Sequence, residues 1–506
     1  MALAWVVAAA PYQSFLRVSS QRVQRDVRRS VFQIRACVGS LSPPTVADQK
    51  AEVLRQLRVI IDPDLGRDIV SLGFVKNLVV ESDPEHVAKF VVTFDVELTT
   101  PACPVKENFR SDCVAVVQSL PWVSRAIARM TAQAPASQDQ SGAMALSKVG
   151  AIVAIASCKG GVGKSTTAVN LAFTLAAQGA RVGLMDADIY GPSLPTLVHP
   201  ETQLVEFEDS LIKPMMYGGV KLMSYGYVNG ETAVMRGPMI ATLVSQLLTT
   251  TDWGEIDYLL IDMPPGTGDV QITLGQVANI DAAVIVTTPQ RLAFVDVVKG
   301  IQMFEKVNIP SIAVVENMAY FTAPESGVRH RIFGEGFAER LKRDFGIENS
   351  FPVPIDPLVS QKSDSGIPFV VSCPDSESAQ VYQEIAASVV QELAKIRFGG
   401  RKFPEVTFSK ETGNIEIRID GTLSESIWPA DLRRKCRCAV CVDEMTGRPI
   451  LDPRDVDDGV QPTSISPVGN YAVQVSWNDG HPSLYPYARF VSAWAKEKNP
   501  EERNGS

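Results

Sequence analysis

The stretch Cys158-Lys159-Gly160-Gly161-Val162-Gly163-Lys164-Ser165-Thr166 follows the apolar run Ala151–Ser157 and opens a helical stretch. Strand, glycine-rich loop and helix in that order form the context in which such a loop binds phosphate. The glycines let successive backbone N–H groups converge on phosphate oxygens, and the helix N-terminus adds its positive end. The loop Gly160, Gly161, Val162, Gly163 therefore reads as the cradle of ATP or a close analogue. Lys164 is placed to reach the β- and γ-phosphates, and the hydroxyl of Ser165, beside Thr166, to meet Mg2+. Cys158 stands where the usual pattern has its first glycine, and a second lysine, Lys159, opens the loop.

Outward from the loop, short apolar runs at Ile152–Ala156, Val182–Met185, Tyr258–Ile261, Ala283–Val286 and Ile312–Val315 alternate with longer amphipathic stretches. Runs apolar throughout suit strands covered on both faces, so the spacing predicts an α/β, doubly wound parallel sheet. Two of these runs end in acids. Val182–Met185 runs into Asp186-Ala187-Asp188, and Tyr258–Ile261 runs into Asp262 and the glycine-bearing segment Met263–Asp269. Asp186 and Asp262 are expected beside the phosphates, with Asp262 in the magnesium shell and the segment after it as a mobile switch.

At 506 residues, with a mean hydropathy of +0.05, the chain is long enough for about three domains. No apolar run approaches the roughly 18 residues that a bilayer span requires, and no membrane span is expected. Residues 1–40 carry six arginines (Arg17, Arg22, Arg25, Arg28, Arg29, Arg35) and a single acid, Asp26, with several serines and no lysine. That composition reads as a transit peptide. Losing it removes six positive charges and one negative, taking the net charge from −9 to about −14. Such a body offers no electrostatic reason to bind nucleic acid. The segment Ile34–Cys37 looks like a plastid processing site, which points to the chloroplast stroma; the alternative is the mitochondrial matrix.

Three blocks follow. Residues 45–131 mix helical spacing (Asp48–Ile61, Val105–Leu120) with the alternating strand Phe90–Leu98, a small α+β N-terminal domain. Residues 132–147 have linker composition. Residues 148–398 hold the parallel-sheet core. After Phe398-Gly399-Gly400, residues 402–498 read as a small β-rich C-terminal domain, with strands at Val406–Phe408, Ile415–Ile419 and Tyr471–Trp477. Eight cysteines, unevenly clustered in a chain bound for a reducing compartment, read as metal or cluster ligands before disulfides. Cys436, Cys438 and Cys441 lie within six residues, and His481 follows, a Cys₃His set of the kind that closes a tetrahedron around Zn2+. An iron–sulfur cluster is the alternative occupant. Cys113 on an apolar helix reads as buried packing, Cys158 as structural, and Cys373 stays open.

The paired-lysine loop resembles the deviant Walker A motif of the P-loop NTPase superfamily that includes MinD, ParA, ArsA and the nitrogenase iron protein. In that superfamily the extra lysine crosses a dimer interface, so the resemblance gives Lys159 and Lys164 catalytic roles and implies a homodimer. It likewise implies that Asp188 orients the attacking water and that Asn317 in Glu316-Asn317-Met318 contacts adenine. Asp186–Ser193 and Pro264–Asp269 narrow the likeness to the Mrp/Nbp35 iron–sulfur carriers. Asp62-Pro63-Asp64, Asp68–Gly73 and Thr99–Pro104 resemble the MIP18-like (DUF59) domain with its single reactive cysteine, here Cys103. The block around Cys436 resembles the DUF971 domain, where the matching cysteines and histidine hold structural zinc.

The three-part order resembles the plastid high-chlorophyll-fluorescence scaffold proteins. It implies an ATP-dependent scaffold and carrier, weakly hydrolytic, that assembles a labile [4Fe-4S] cluster and transfers it to apo iron–sulfur proteins, photosystem I components among them. One departure stands out. The C-x-x-C pair that many Mrp/Nbp35 proteins carry after Glu-Asn-Met is replaced by Tyr320–Gly327 without cysteine, which makes Cys103 the first candidate ligand. The alternative function is a ParA/MinD-like positioning or regulatory ATPase stabilised by a zinc module. A reductase of the nitrogenase-iron-protein kind would need cysteines near the switch, and 262–275 contains none.

Overall fold

A computed structural model describes residues 45–62, 65–86, 89–98, 106–132, 144–201, 206–208, 211–228, 237–266, 268–398, 404–419, 421–436, 438, 440–442, 448–468 and 472–487. The expected transit peptide, most of the expected linker, and Cys103 lie outside the described residues.

The N-terminal unit holds helix α1 (Val46–Leu57), strands β1 (Val75–Ser82) and β2 (Phe90–Leu98), helix α2 (Lys106–Gln118) and strand β3 (Val123–Ala132). Thr45 starts α1 with a reciprocal cap. Its hydroxyl accepts from Asp48 N, and the Asp48 carboxylate accepts from Thr45 N. β1 pairs antiparallel with β2, and β2 runs parallel to β3 through the α2 crossover. Val53, Leu57, Phe74, Phe94, Cys113 and Val117 close its core.

The central unit runs β4 (Val149–Ala156), α3 (Lys164–Ala177), β5 (Val182–Asp186), β6 (Met215–Tyr217), β7 (Val220–Ser224), α4 (Gly237–Thr250), β8 (Ile256–Asp262), α5 (Asp269–Val277), β9 (Ala282–Thr287), α6 (Arg291–Lys306), β10 (Ser311–Glu316), α7 (Ala338–Phe345), β11 (Ser350–Pro352) and α8 (Glu377–Phe398). The sheet order is β11-β10-β9-β4-β8-β5-β7-β6. All neighbours are parallel except β6 and β7. Alternation along β4 divides the interior into two cores. Val153 and Ile155 face α3 and α8. Ile152 and Ala154 face α4, α5, α6 and α7. A sheet covered on both sides needs apolar residues at every central position, and this is why its strands are continuous apolar runs.

The C-terminal unit contains two three-stranded antiparallel sheets, β12 (Glu405–Phe408), β13 (Ile415–Ile419), β14 (Thr422–Ile427) and β15 (Pro462–Val468), β16 (Ala472–Trp477), β17 (Pro482–Pro486). Between them lies the short helix α9 (Pro429–Arg434). Among the described residues no helix is long and apolar enough to cross a membrane.

Candidate functional site

Parallel strands point their carboxyl ends to one edge of the sheet, and there the loop after β4 meets the ends of β5, β8 and β10. Gly163 closes the loop at φ +85°, and a Cβ built on it would lie 2.1 Å from Asn317 Nδ2. Only glycine fits, because both the backbone angle and the neighbour exclude a side chain. Asn317 Nδ2 donates to Val162 O at 2.9 Å. Asn317 owes this aim to a strained link: Met318 after it adopts φ 58°, left-handed for a non-glycine residue. Asn317 N donates to Thr287 O, and Ala319 N to Val353 O, holding that link from both sides.

Lys164 is buried at the first turn of α3, and its Nζ donates to Asp262 Oδ1 at 2.5 Å and to Ser165 Oγ at 3.2 Å. Burial pushes the Asp262 carboxyl above the ordinary carboxylate range, against the pull of Lys164. Asp186 is also buried, and burial together with the neighbouring Asp262 pushes its carboxyl up to about 7. Its oxygens accept from Asp188 N, Ser193 N, Leu194 N and Ser224 Oγ, at 3.0, 3.0, 3.1 and 3.2 Å. Asp186 is thus the anchor of its own loop, and the half-buried Asp188, whose Oδ1 accepts from Gly191 N, is the carboxylate that the anchored loop presents.

Lys159 is exposed, and its side chain makes no ion pair among the described residues. Its carbonyl accepts from Ser157 Oγ at 3.0 Å. A Cβ added at Gly160 or Gly161 would meet nothing within 4 Å, so both positions border open space. Thr166 is half-buried in the first turn of α3. Cys158 packs its sulfur on Gly300 of α6, where an added Cβ would come within 2.1 Å, and burial pushes the thiol up to about 11. Burial likewise pushes Cys113 up to about 12. Both cysteines are packed as the sequence suggested.

Sequence reasoning missed Gln271. Buried in α5, it donates to Pro264 O and Gly266 O and accepts from Gly268 N at 2.8 Å. It gathers the segment after Asp262 into one loop. A glutamine three residues after a helix-opening glycine is the half of a capping box that the sequence did display.

Where the resemblance led one to look for a C-x-x-C pair, the chain forms a two-rung hairpin, Phe321–Thr322 against Arg329–His330. Glu377, at the start of α8, holds it. Its carboxylate accepts from Tyr320 Oη at 3.0 Å, Arg329 Nη2 at 2.8 Å and Thr322 Oγ1 at 3.3 Å. The Arg329 guanidinium also lies over the Tyr320 ring at 4.6 Å. Cys373 follows a short helix, Phe369–Ser372, half-buried.

In the C-terminal unit Cys436, Cys438, Cys441 and His481 converge, their ligand atoms all within 4.8 Å of one another. The three sulfurs lie 3.4, 3.3 and 3.6 Å from His481 Nε2. A tetrahedron with metal–sulfur bonds of about 2.3 Å and a metal–nitrogen bond of about 2.0 Å has sulfur–nitrogen edges near 3.5 Å. The three sulfur–nitrogen distances match those edges. Burial pushes the Cys436 and Cys441 thiols upward, Cys441 to about 12. A coordinating dication supplies the opposite push, deprotonating thiols outright. Arg433, also buried, donates from Nη1 to Cys441 Sγ at 3.6 Å and from Nε to Asp479 Oδ2 at 2.9 Å. Asp479 Oδ1 accepts from His481 N at 2.9 Å.

Three family models match the chain. Residues 148–390 match the NUBPL iron-transfer P-loop NTPases, residues 50–127 the iron–sulfur cluster assembly proteins, and residues 406–490 the N-terminal region of γ-butyrobetaine hydroxylase-like proteins. Among curated relatives, the chloroplastic Fe–S cluster assembly factor HCF101 of Arabidopsis thaliana is 46% identical over 483 residues, 94% of this chain and 89% of its own. The protein of the same name in Oryza sativa subsp. japonica is 48% identical over 458 residues, 90% of this chain and 84% of its own. An iron–sulfur cluster carrier protein of Synechocystis sp. is 37% identical over 349 residues, 68% of this chain and 97% of its own.

Proposed function

Because the chain belongs to the family of chloroplastic Fe–S cluster assembly factors typified by HCF101, we propose that it assembles a labile iron–sulfur cluster and transfers it to apo-proteins in the plastid. The observation that carries this reading is the similarity over 94% of the chain, which takes in the N-terminal, central and C-terminal units together. Within it, a [4Fe-4S] cluster is the cargo, Cys103 its first ligand, the stroma the compartment, and photosystem I components are among the recipients.

The nucleotide site sets the timing. Lys164, held on Asp262, turns to the β- and γ-phosphates of ATP when the nucleotide seats against Gly160–Gly163. Ser165 and the freed Asp262 are the residues that would hold Mg2+, which when bound neutralises charge between those phosphates. Asp186 keeps the loop in place while Asp188 orients the attacking water, and Asn317 closes on the base. Lys159, free on the surface, reaches the nucleotide of a second copy, so that the dimer is complete only with ATP bound. Slow hydrolysis then reopens it and changes the exposure of the cluster. In the C-terminal unit Cys436, Cys438, Cys441 and His481 would hold Zn2+, which when bound cross-links the loop to the β16–β17 turn.

Anaerobic reconstitution of the full chain with iron and sulfide, followed by Mössbauer spectroscopy and metal analysis, tests the reading. About four irons per dimer are expected, lost in Cys103→Ser while zinc survives, and zinc lost in the Cys436/Cys438/Cys441 triple serine variant while iron survives. A wild-type chain that binds zinc and ATP but no cluster would leave only an ATP-switched regulatory protein.

A further inference from the structure

We infer that Arg433 is a positioning residue of the C-terminal metal centre, its guanidinium tying the thiolate loop to the histidine turn and holding charge on the Cys441 sulfur. The inference rests on the zinc reading of the Cys₃His set and adds to it a residue outside that set.

A guanidinium taken out of water is costly unless its donors find acceptors. Arg433 retains only 6% of its exposure. One N–H reaches the Asp479 carboxylate and another the Cys441 sulfur. Asp479 in turn holds the backbone N–H of His481. A continuous chain of hydrogen bonds therefore links Cys441 to His481, two ligands 40 residues apart in sequence. α9 ends at Arg434, two residues before Cys436, so the helix that carries the guanidinium also launches the thiolate loop.

The charges agree with that geometry. Three thiolates and a neutral imidazole around a dication leave one surplus negative charge, and the Arg433–Asp479 pair turns its positive end towards it. An N–H···S bond draws electron density from the sulfur, making it a poorer nucleophile. It also fixes the ligand before the metal arrives, as partners behind metal ligands do. A lysine could supply the charge, but not the fork that serves Cys441 and Asp479 together.

The test compares full-length wild type, Arg433→Met, Arg433→Lys and Asp479→Asn in zinc competition with a chromogenic chelator. Arg433→Met should bind zinc about 10- to 100-fold more weakly, with Lys restoring part of the loss and Asp479→Asn falling between. In the Co2+-substituted protein the sulfur-to-metal charge-transfer band should move to longer wavelength in Arg433→Met. In Arg433→Met, but not in wild type, iodoacetamide with peptide mapping should label Cys441 ahead of Cys436 and Cys438. Wild-type zinc affinity with an unmoved band in Arg433→Met overturns the inference while leaving zinc in place. A wild-type chain that takes no zinc overturns the zinc reading itself. Should Arg433→Met fail to fold, Arg433→Lys decides: full affinity and an unmoved band there also overturn the role.

Discussion

Lys164 and Asp262 form a 2.5 Å ion pair with 7% and 4% of their side chains exposed. The lysine proposed to meet phosphate is thus held by a carboxylate of the same site, and removing it strands that carboxylate in the interior. Lys164→Met should cost about 3–5 kcal/mol, towards the lower end because Asp262 can take up a proton. It should also abolish ATP binding. Lys159→Ala, at an exposed side chain, should stay within about 0.5 kcal/mol of wild type while losing ATP turnover. Thermal unfolding beside calorimetric ATP titration separates the two lysines, and equal destabilisation by both would refute their division of labour.

Gly163 offers a stricter test, because two independent penalties fall on one methyl group. Gly163→Ala meets both the +85° backbone angle and Asn317 Nδ2. It should lose more than about 1 kcal/mol and its nucleotide affinity. Adding Asn317→Ala opens the space but leaves the backbone strain, so the double variant should recover only part of the stability. Full recovery would mean that the backbone angle carries no cost.

Cys113 makes stability fall at alkaline pH. Its thiol is near 9 in the unfolded chain and about 12 in the fold, because burial disfavours the thiolate. The folded state therefore holds its proton longer. This contribution is complete below pH 9 and is lost as pH rises from 9 towards 12, by up to about 1.4 kcal/mol per pH unit. Urea midpoints between pH 8 and 10.5 should fall more steeply in wild type than in Cys113→Ala. Parallel slopes would count against a buried neutral thiol.

Glu377 is the common acceptor of the Tyr320–Arg329 hairpin. Glu377→Ala should release it for a modest cost, about 0.5–1 kcal/mol, since Arg329 is exposed and Glu377 only half-buried. Hydrogen exchange at residues 320–330 should accelerate several-fold while β10 keeps its protection. Unchanged exchange in the hairpin would show that its own two rungs suffice.

Much of this architecture could be read from the chain. The apolar runs expected at Ile152–Ala156 and Ala283–Val286 became β4 and β9, three and two residues longer. Two-sided burial leaves such strands no polar positions at which to hide their pattern. The edge strand β6 and its antiparallel neighbour β7 were not read, although Gly218-Gly219 stands between them with φ 52° and 81°, the two positive angles of a type I′ hairpin turn. Short edge strands show too few alternations to be recognised. At the site, the loop residues and the Cys₃His set were legible because their spacing is local or their chemistry rare. Gln271, Arg433 and Glu377 were not. Gln271 bonds only within seven residues, and its capping-box spacing went unread; Arg433 and Glu377 act through partners on other elements, Arg433 and Asp479 being 46 residues apart.

The two rims of the central sheet carry a further consequence. Each ends in a strand of three residues, Met215–Tyr217 on one side and Ser350–Pro352 on the other, the first reversed in direction and the second ending in a proline. Rims so brief cannot template a neighbouring chain. The central unit is thereby denied the most adhesive way of joining another molecule, by continuing its own β-sheet into the next. Association across those two rims is left to loops and side chains, contacts that can be undone.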